Sequence, residues 1–156
     1  MPAPETFCDV LAALNRENVR YVVVGGLAVV MHGHKRDITD LDIVVEPSPN
    51  EAQRCLNALA CAGFIPTIPL PVHLLTVIRL LDPSMREVDL FVRFQIPFAE
   101  LWSNSKAVKL GIQTVRIAAL EHLLRLKLRT PRPHDDQDVE ALTRLLSEMS
   151  TGNAEP

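Results

Sequence analysis

Cysteine is scarce in this chain: Cys8, Cys55 and Cys61 are odd in number and show no C-x-x-C spacing. That excludes a disulfide framework and the common zinc and thiol-redox motifs, and it suits buried or incidental thiols in a reducing compartment. Long apolar runs are missing too. The longest, Tyr21 to Met31, is too short to cross a bilayer. The opening MPAPETFCDV has neither the basic nor the apolar region of a signal peptide, so the expected location is cytoplasmic, with no membrane role. There is no excess of positive charge: a formal net charge of -3 excludes a surface that is a nucleic-acid footprint throughout, while leaving room for a local basic patch. Tryptophan occurs once, as Trp102, better suited to core or edge packing than to a base-stacking platform. Internal repeats and low-complexity tracts are absent as well.

What is present is a chain of 156 residues, 47% hydrophobic and 22% charged, enough to bury one core. A single domain is expected over residues 1–150, with 151–156 a disordered tail. The spacing of Phe7, Val10, Leu11 and Leu14 predicts an amphipathic helix over 4–18, laid on a sheet. Arg20 to Val24 reads as a strand covered on both faces, broken by Gly25-Gly26 before a short helix over Leu27 to His32. Asp40 to Glu46 reads as the second strand, Glu51 to Cys61 as a helix closed by Gly63, and Pro66, Pro69 and Pro71 as an irregular crossing. A hairpin follows, with strands His73 to Leu81 and Glu87 to Phe94 turning at Asp82-Pro83-Ser84-Met85. Then come a short helix over 97–103, two strands within Lys106 to Ile117 turning at Gly111, and a helix over Ala118 to Arg129 with Leu120, Leu123, Leu124 and Leu128 inward. After a break at Thr130 to His134, Asp135 caps a last helix that runs to about Glu148. The fold class is α/β (α+β): a mixed, largely antiparallel sheet with helices packed on it and a C-terminal helical segment.

The chemistry concentrates between Tyr21 and Glu46, YVVVGGLAVVMHGHKRDITDLDIVVE. Residues i and i+2 of a strand face the same way, about 6 to 7 Å apart, so Asp40 and Asp42 project together. Carboxylates beside an apolar run call for a cationic partner, and a divalent metal leads the candidates. On the later strand Glu87, Asp89 and Phe91 share one face, and Asp89 is the clear mid-strand acid. Three carboxylates around one or two Mg²⁺ ions are the arrangement that clamps a nucleoside triphosphate and activates an attacking hydroxyl. A bare D-x-D also occurs as a pair of solvated acids, and a glycine pair as an ordinary tight turn. The combination carries the weight, because Gly25-Gly26 lets phosphates approach bare backbone N–H groups. Arg36 suits either a triphosphate clamp or a salt bridge to Asp37 and Asp40. Lys127 suits either a phosphate contact or a solvated basic face with Arg125 and Arg129. His32 and His34 lack further zinc ligands at suitable spacing, and His32 is expected to shape the turn.

These residues resemble a known family. Val24-Gly25-Gly26, then Asp40-Leu41-Asp42, then Val88-Asp89-Leu90 look like the signature of polymerase-β-like nucleotidyltransferases. The finer pattern of Gly-Gly-Leu-Ala, His32-Gly33, Arg36, Thr39 and Asp-Leu-Asp is similar to the AbiEii-type toxin nucleotidyltransferases of abortive-infection and toxin–antitoxin systems. Lys127, Arg132, Asp135 and Asp138-Val139 resemble that group's C-terminal lysine and paired-aspartate helix motif, with a departure at His134, where a lysine is expected. The resemblance covers roughly residues 20 to 145. It implies a sheet with helices on one side and Mg²⁺-dependent transfer of a nucleoside monophosphate with release of pyrophosphate; Mn²⁺ is the alternative ion. It further implies Asp40, Asp42 and Asp89 as metal-holding and catalytic residues, with Asp89 activating the acceptor hydroxyl. Gly25, Gly26, Arg36, Thr39 and Lys127 are implied for the nucleotide.

The expected function is therefore a metal-dependent nucleotidyltransferase using an NTP such as ATP or GTP. The expected acceptor is a hydroxyl on tRNA, protein or a small molecule, and the expected setting is a toxin or antitoxin partnership. Two rival classes are a non-catalytic binding module or antitoxin of the same fold, which need not keep three carboxylates, and a glycosyltransferase using D-x-D for Mn²⁺, which fits the upstream glycine pair and Asp89 poorly.

Overall fold

The structure, a computed structural model, describes residues 4–68, 75–129 and 135–154. After a 3-10 turn at Pro4–Phe7, α1 spans Cys8–Arg16, β1 Tyr21–Val24, α2 Gly25–Met31, β2 Asp40–Val45 and α3 Pro49–Cys61. Then follow β3 Ile65–Pro66, β4 Val77–Leu81, β5 Glu87–Phe91, α4 Phe98–Asn104, β6 Lys106–Leu110, β7 Gln113–Ile117, α5 Leu120–Arg129 and α6 Asp135–Ala154. The strands form one sheet in the order β3-β4-β5-β2-β1-β7-β6. β1–β2, β3–β4, β4–β5 and β6–β7 are antiparallel, and β2–β5 and β1–β7 parallel. This is the mixed, largely antiparallel sheet with packed helices and a helical C-terminal segment that the sequence implies.

Strand parity sorts the residues into two faces. Tyr21, Val23, Leu41, Ile43, Val88 and Leu90 share one face by their register. α1 lies on it: the Tyr21 hydroxyl donates to Asn15 Oδ1 at 2.9 Å, and Asn15 Nδ2 reaches on to the Thr114 carbonyl of β7 at 3.1 Å. Val22, Val24, Asp40, Asp42, Val44, Glu87 and Asp89 share the other face. α4 covers part of it, with Trp102 stacked between Arg20, 4.8 Å from its ring centroid, and Arg116, at 5.0 Å. Over β1, helices therefore cover both faces rather than one, which is why all four residues of β1 are buried and the strand reads as an unbroken apolar run. Trp102 packs on the core as expected. The β5–β4 part of the second face stays open: Val77 is 43% exposed and the Arg79 side chain 59%.

Four expectations change. Residues around Pro66 were expected to be irregular, but Ile65 and Pro66 pair with Leu81 and Leu80 as a sheet edge, a position where proline's missing N–H is harmless. Leu128 is 62% exposed. The buried arc of α5 is centred near Leu123 and includes His122, and five residues at about 100° each turn Leu128 roughly 140° away from that centre. α6 runs on to Ala154, beyond the expected end near Glu148 and into the segment assigned to a tail. α2 begins at Gly25 itself, so the glycine pair is its first turn rather than a break before it. The expected start of β4 at His73, with Pro69 and Pro71, lies outside the described residues.

The hairpin turn is built by Asp82, whose Oδ1 accepts from Ser84 N at 3.0 Å and Arg86 N at 2.8 Å. Arg86 then ties the turn to α1 through Asp9 at 2.8 Å. This side-chain pair holds the Asp9 carboxyl below the usual carboxylate range.

Candidate active site

Parallel pairing of β2 with β5 sets the register Asp40↔Glu87 and Asp42↔Asp89. Each of Asp40, Asp42 and Asp89 thereby offers one carboxylate oxygen, and these oxygens all lie within 4.8 Å of one another. Asp89 is 7% exposed, at the floor of the open face. Among the described residues this is the group of three or more metal-ligating side chains that converges. The histidines do not join it: His32 Nε2 donates to the Ala118 carbonyl at 2.8 Å, and burial lowers its pKa.

The glycine turn sits directly on these acids. Gly25 has φ +68, and a Cβ added there would lie 2.1 Å from Asp42 Oδ2. Only glycine allows both the left-handed backbone and that close approach. Gly25→Ala is therefore expected to push the Asp42 carboxylate out of place and destabilise the fold by about 1 to 2 kcal/mol or more. Thermal denaturation together with Mn²⁺ titration checks this: a normal melt with unimpaired ion binding would contradict the contact. The Thr39 hydroxyl is 3.2 Å from Asp40 Oδ1, which places Thr39 as an orienting group for the first acid.

Gly26 faces Arg36: a Cβ there would lie 3.3 Å from the guanidinium. Arg36 in turn is ion-paired through Nη1 to Asp138 Oδ2, rather than to the neighbouring side chains of Asp37 and Asp40 expected as its salt-bridge partners. Its Nε also donates to the Asp37 carbonyl at 3.1 Å. Lys127 Nζ reaches the same Asp138 oxygen at 3.0 Å, and His34 Nε2 lies 3.5 Å from Oδ1. Asp138 itself is 1% exposed. Burying a carboxylate is costly unless cations and hydrogen bonds compensate it, and these side chains supply them. Lys127 thus turns inward and is not part of a solvated basic face; Arg125 is the residue that points outward, to Glu100 at 3.2 Å. Arg132 and His134 lie outside the described residues, and Asp135 opens α6.

Sequence reasoning missed two side chains. Glu87, directly across from Asp40, has its carboxyl raised to about 7 by burial and by a hydrogen bond and charge repulsion from Asp89. Arg79, across from Asp89 on β4, places its Nε 3.2 Å from Asp89 Oδ1 and 3.2 Å from Glu87 Oε2. The shared face of Glu87 and Asp89 and the β4–β5 hairpin were legible; the cross-strand register that sets Arg79 against Asp89, and the placing of β2 beside β5, were not.

The donor set fits a hard divalent cation. Three carboxylates present oxygens at mutual distances one ion can bridge, and the glycine at 25 clears space beside Asp42, consistent with Mg²⁺ or Mn²⁺ chemistry. The resulting surface has an acidic centre, a wall of bare backbone with Arg36 behind it, and an open side over β4.

No protein-family model matches the sequence, and no curated protein matches it. Solved structures do. The lincosamide antibiotic adenylyltransferase LnuA, bound to lincomycin, superposes with a TM-score of 0.69 at 16% identity, over 93% of this chain and 98% of that one. ANT(2″)-Ia in complex with adenylyl-2″-tobramycin gives a TM-score of 0.68 at 13% identity, over 96% and 92% of the two chains. A Thermotoga maritima protein described as a nucleotidyltransferase gives 0.63 at 16% identity, over 95% and 96%. The chain has the nucleotidyltransferase fold. At these identities the likeness is one of architecture. Within the nucleotidyltransferase fold, the acids of β2 and β5 and the glycine turn after β1 occupy a single open face, as their register requires.

Proposed function

We propose that the protein is a Mg²⁺-dependent nucleotidyltransferase that moves a nucleoside monophosphate from an NTP to a hydroxyl acceptor. The observation that carries this reading is the convergence of Asp40, Asp42 and Asp89 within 4.8 Å beside a glycine turn no side chain can occupy. Asp40, oriented by Thr39, and Asp42, seated against Gly25, hold the divalent ion. Bound there, such an ion neutralises phosphate charge and acidifies the attacking hydroxyl. Asp89 takes the hydroxyl proton on its carboxylate. Gly25 and Gly26 offer backbone to the triphosphate, and Arg36 and Lys127, both anchored by Asp138, face its negative charge. The leaving pyrophosphate then lies toward the glycine wall, so in-line attack brings the acceptor over β5 and β4.

The resemblance to AbiEii-type toxins supports an acceptor on tRNA or protein and a partnership with an antitoxin, in the cytoplasm, with a small molecule as the other acceptor class and Mn²⁺ as the other ion. Incubation with each α-labelled NTP, Mg²⁺, total RNA and cell lysate tests the proposal. Label entering one fraction with pyrophosphate release is the expected result. No label in any fraction and no pyrophosphate from any NTP would overturn it.

A further inference from the structure

Across the open face the register runs Asp42, Asp89, Arg79 on β2, β5 and β4. The third acid of the triad thus lies between the proposed ion site and a guanidinium. Arg79 reaches Asp89 Oδ1 and Glu87 Oε2 through the same Nε, each at 3.2 Å. Asp89 is nearly buried, whereas the side chain of Arg79 is more than half exposed, so the cation covers the carboxylate from the solvent side. A guanidinium and a metal ion compete for the lone pairs and the charge of one carboxylate, and the competition is stronger where water is scarce. Arg79 can leave Asp89 without stranding its charge, because its long side chain is exposed to water.

We propose that Arg79, anchored on Glu87, is a positioning residue that keeps Asp89 off the metal in the nucleotide-free protein, so that a bare divalent ion is held by Asp40 and Asp42 alone. The inference rests on the divalent-ion reading of the triad given above. It assigns a task to the pair Glu87 and Arg79, which the transfer reaction as described does not otherwise use.

Mn²⁺ binding to the full chain without nucleotide, followed by the electron paramagnetic resonance signal of the free ion, tests it without any activity readout. Arg79→Ala is expected to tighten Mn²⁺ roughly tenfold, the size of effect a nearby charge exerts on a dication at a partly wet site. Arg79→Lys, which keeps the charge, is expected to stay near wild type. The decisive comparison is a cycle with Asp89→Asn. That change should weaken binding by less than about threefold in wild type and by about tenfold in the Arg79→Ala background, because only there is Asp89 free to ligate. Equal penalties in both backgrounds, or an Arg79→Ala affinity unchanged from wild type, would overturn the inference while leaving the metal site standing. Binding that is absent in every variant, or indifferent to Asp42→Asn, would overturn the metal reading itself. Thermal melts of wild type and every variant confirm folding, which an exposed arginine on the second strand from the sheet edge is not needed to sustain.

Discussion

Asp42→Asn is expected to lower NTP-dependent pyrophosphate release by at least about a thousandfold, or roughly 4 kcal/mol of transition-state stabilisation, while the thermal midpoint stays level or rises. The substitution preserves shape and removes one negative charge. Asp42 sits where that charge matters most to the proposed chemistry: its oxygen is against the glycine turn and its strand partner is Asp89. Stability moves the other way. Asp40, Asp42 and Asp89 are three acids on two adjacent strands, and like charges at that spacing repel in the absence of an ion. Arg79 offsets only part of this. A mutant that is as stable as wild type and inactive is therefore the signature of a site residue, whereas retained activity would remove Asp42 from the mechanism. The pair of measurements separates loss of chemistry from loss of fold.

Asp138→Ala is expected to destabilise the protein by about 3 to 5 kcal/mol, lowering the thermal midpoint by on the order of 10 °C, and to weaken NTP binding. Three side chains converge on this carboxylate: Arg36 and His34 from the loop before β2, and Lys127 from α5. Removing it leaves cationic groups in a buried place with their shared anion gone, a larger effect than losing an exposed pair. A cycle with Arg36→Ala separates the contributions, because the Asp138→Ala penalty should shrink once Arg36 is absent. A variant within 1 kcal/mol of wild type by chemical denaturation, and with normal NTP affinity, would show that the convergence of charges at Asp138 carries no weight.

How much of this was legible in the sequence follows the range over which each feature is encoded. β1, the glycine turn and the D-x-D strand are local signals: an apolar run, a chain break and alternation with period two. They place Gly25, Asp40 and Asp42 directly. Asp89 also showed itself through alternation, and the match of spacing to known nucleotidyltransferases suggested its partners. Which strands are neighbours is a different kind of information. The parallel β2–β5 pairing joins residues 45 or more positions apart, and it alone brings Glu87 against Asp40. Arg36 and Asp138, 102 positions apart, were both visible as motif residues but not as partners; the salt bridge weighed for the arginine, beside a triphosphate clamp, was to the nearer Asp37 and Asp40. The exposure of Leu128 was missed because a run of leucines suggests a stripe, whereas His122 and Leu123 set the direction of the buried arc.

The dependence of Arg36, His34 and Lys127 on Asp138 orders events in time as well as in space. The chain emerges from the ribosome N-terminus first, so Asp40, Asp42, Asp89 and the glycine turn exist before α6 does. Until residue 138 has emerged and α6 has docked, the loop carrying His34 and Arg36 lacks its anchor. A nascent chain halted before that point would carry all three carboxylates without the cations fixed opposite them. Docking of α6 is thus what completes the charge cluster around Asp138.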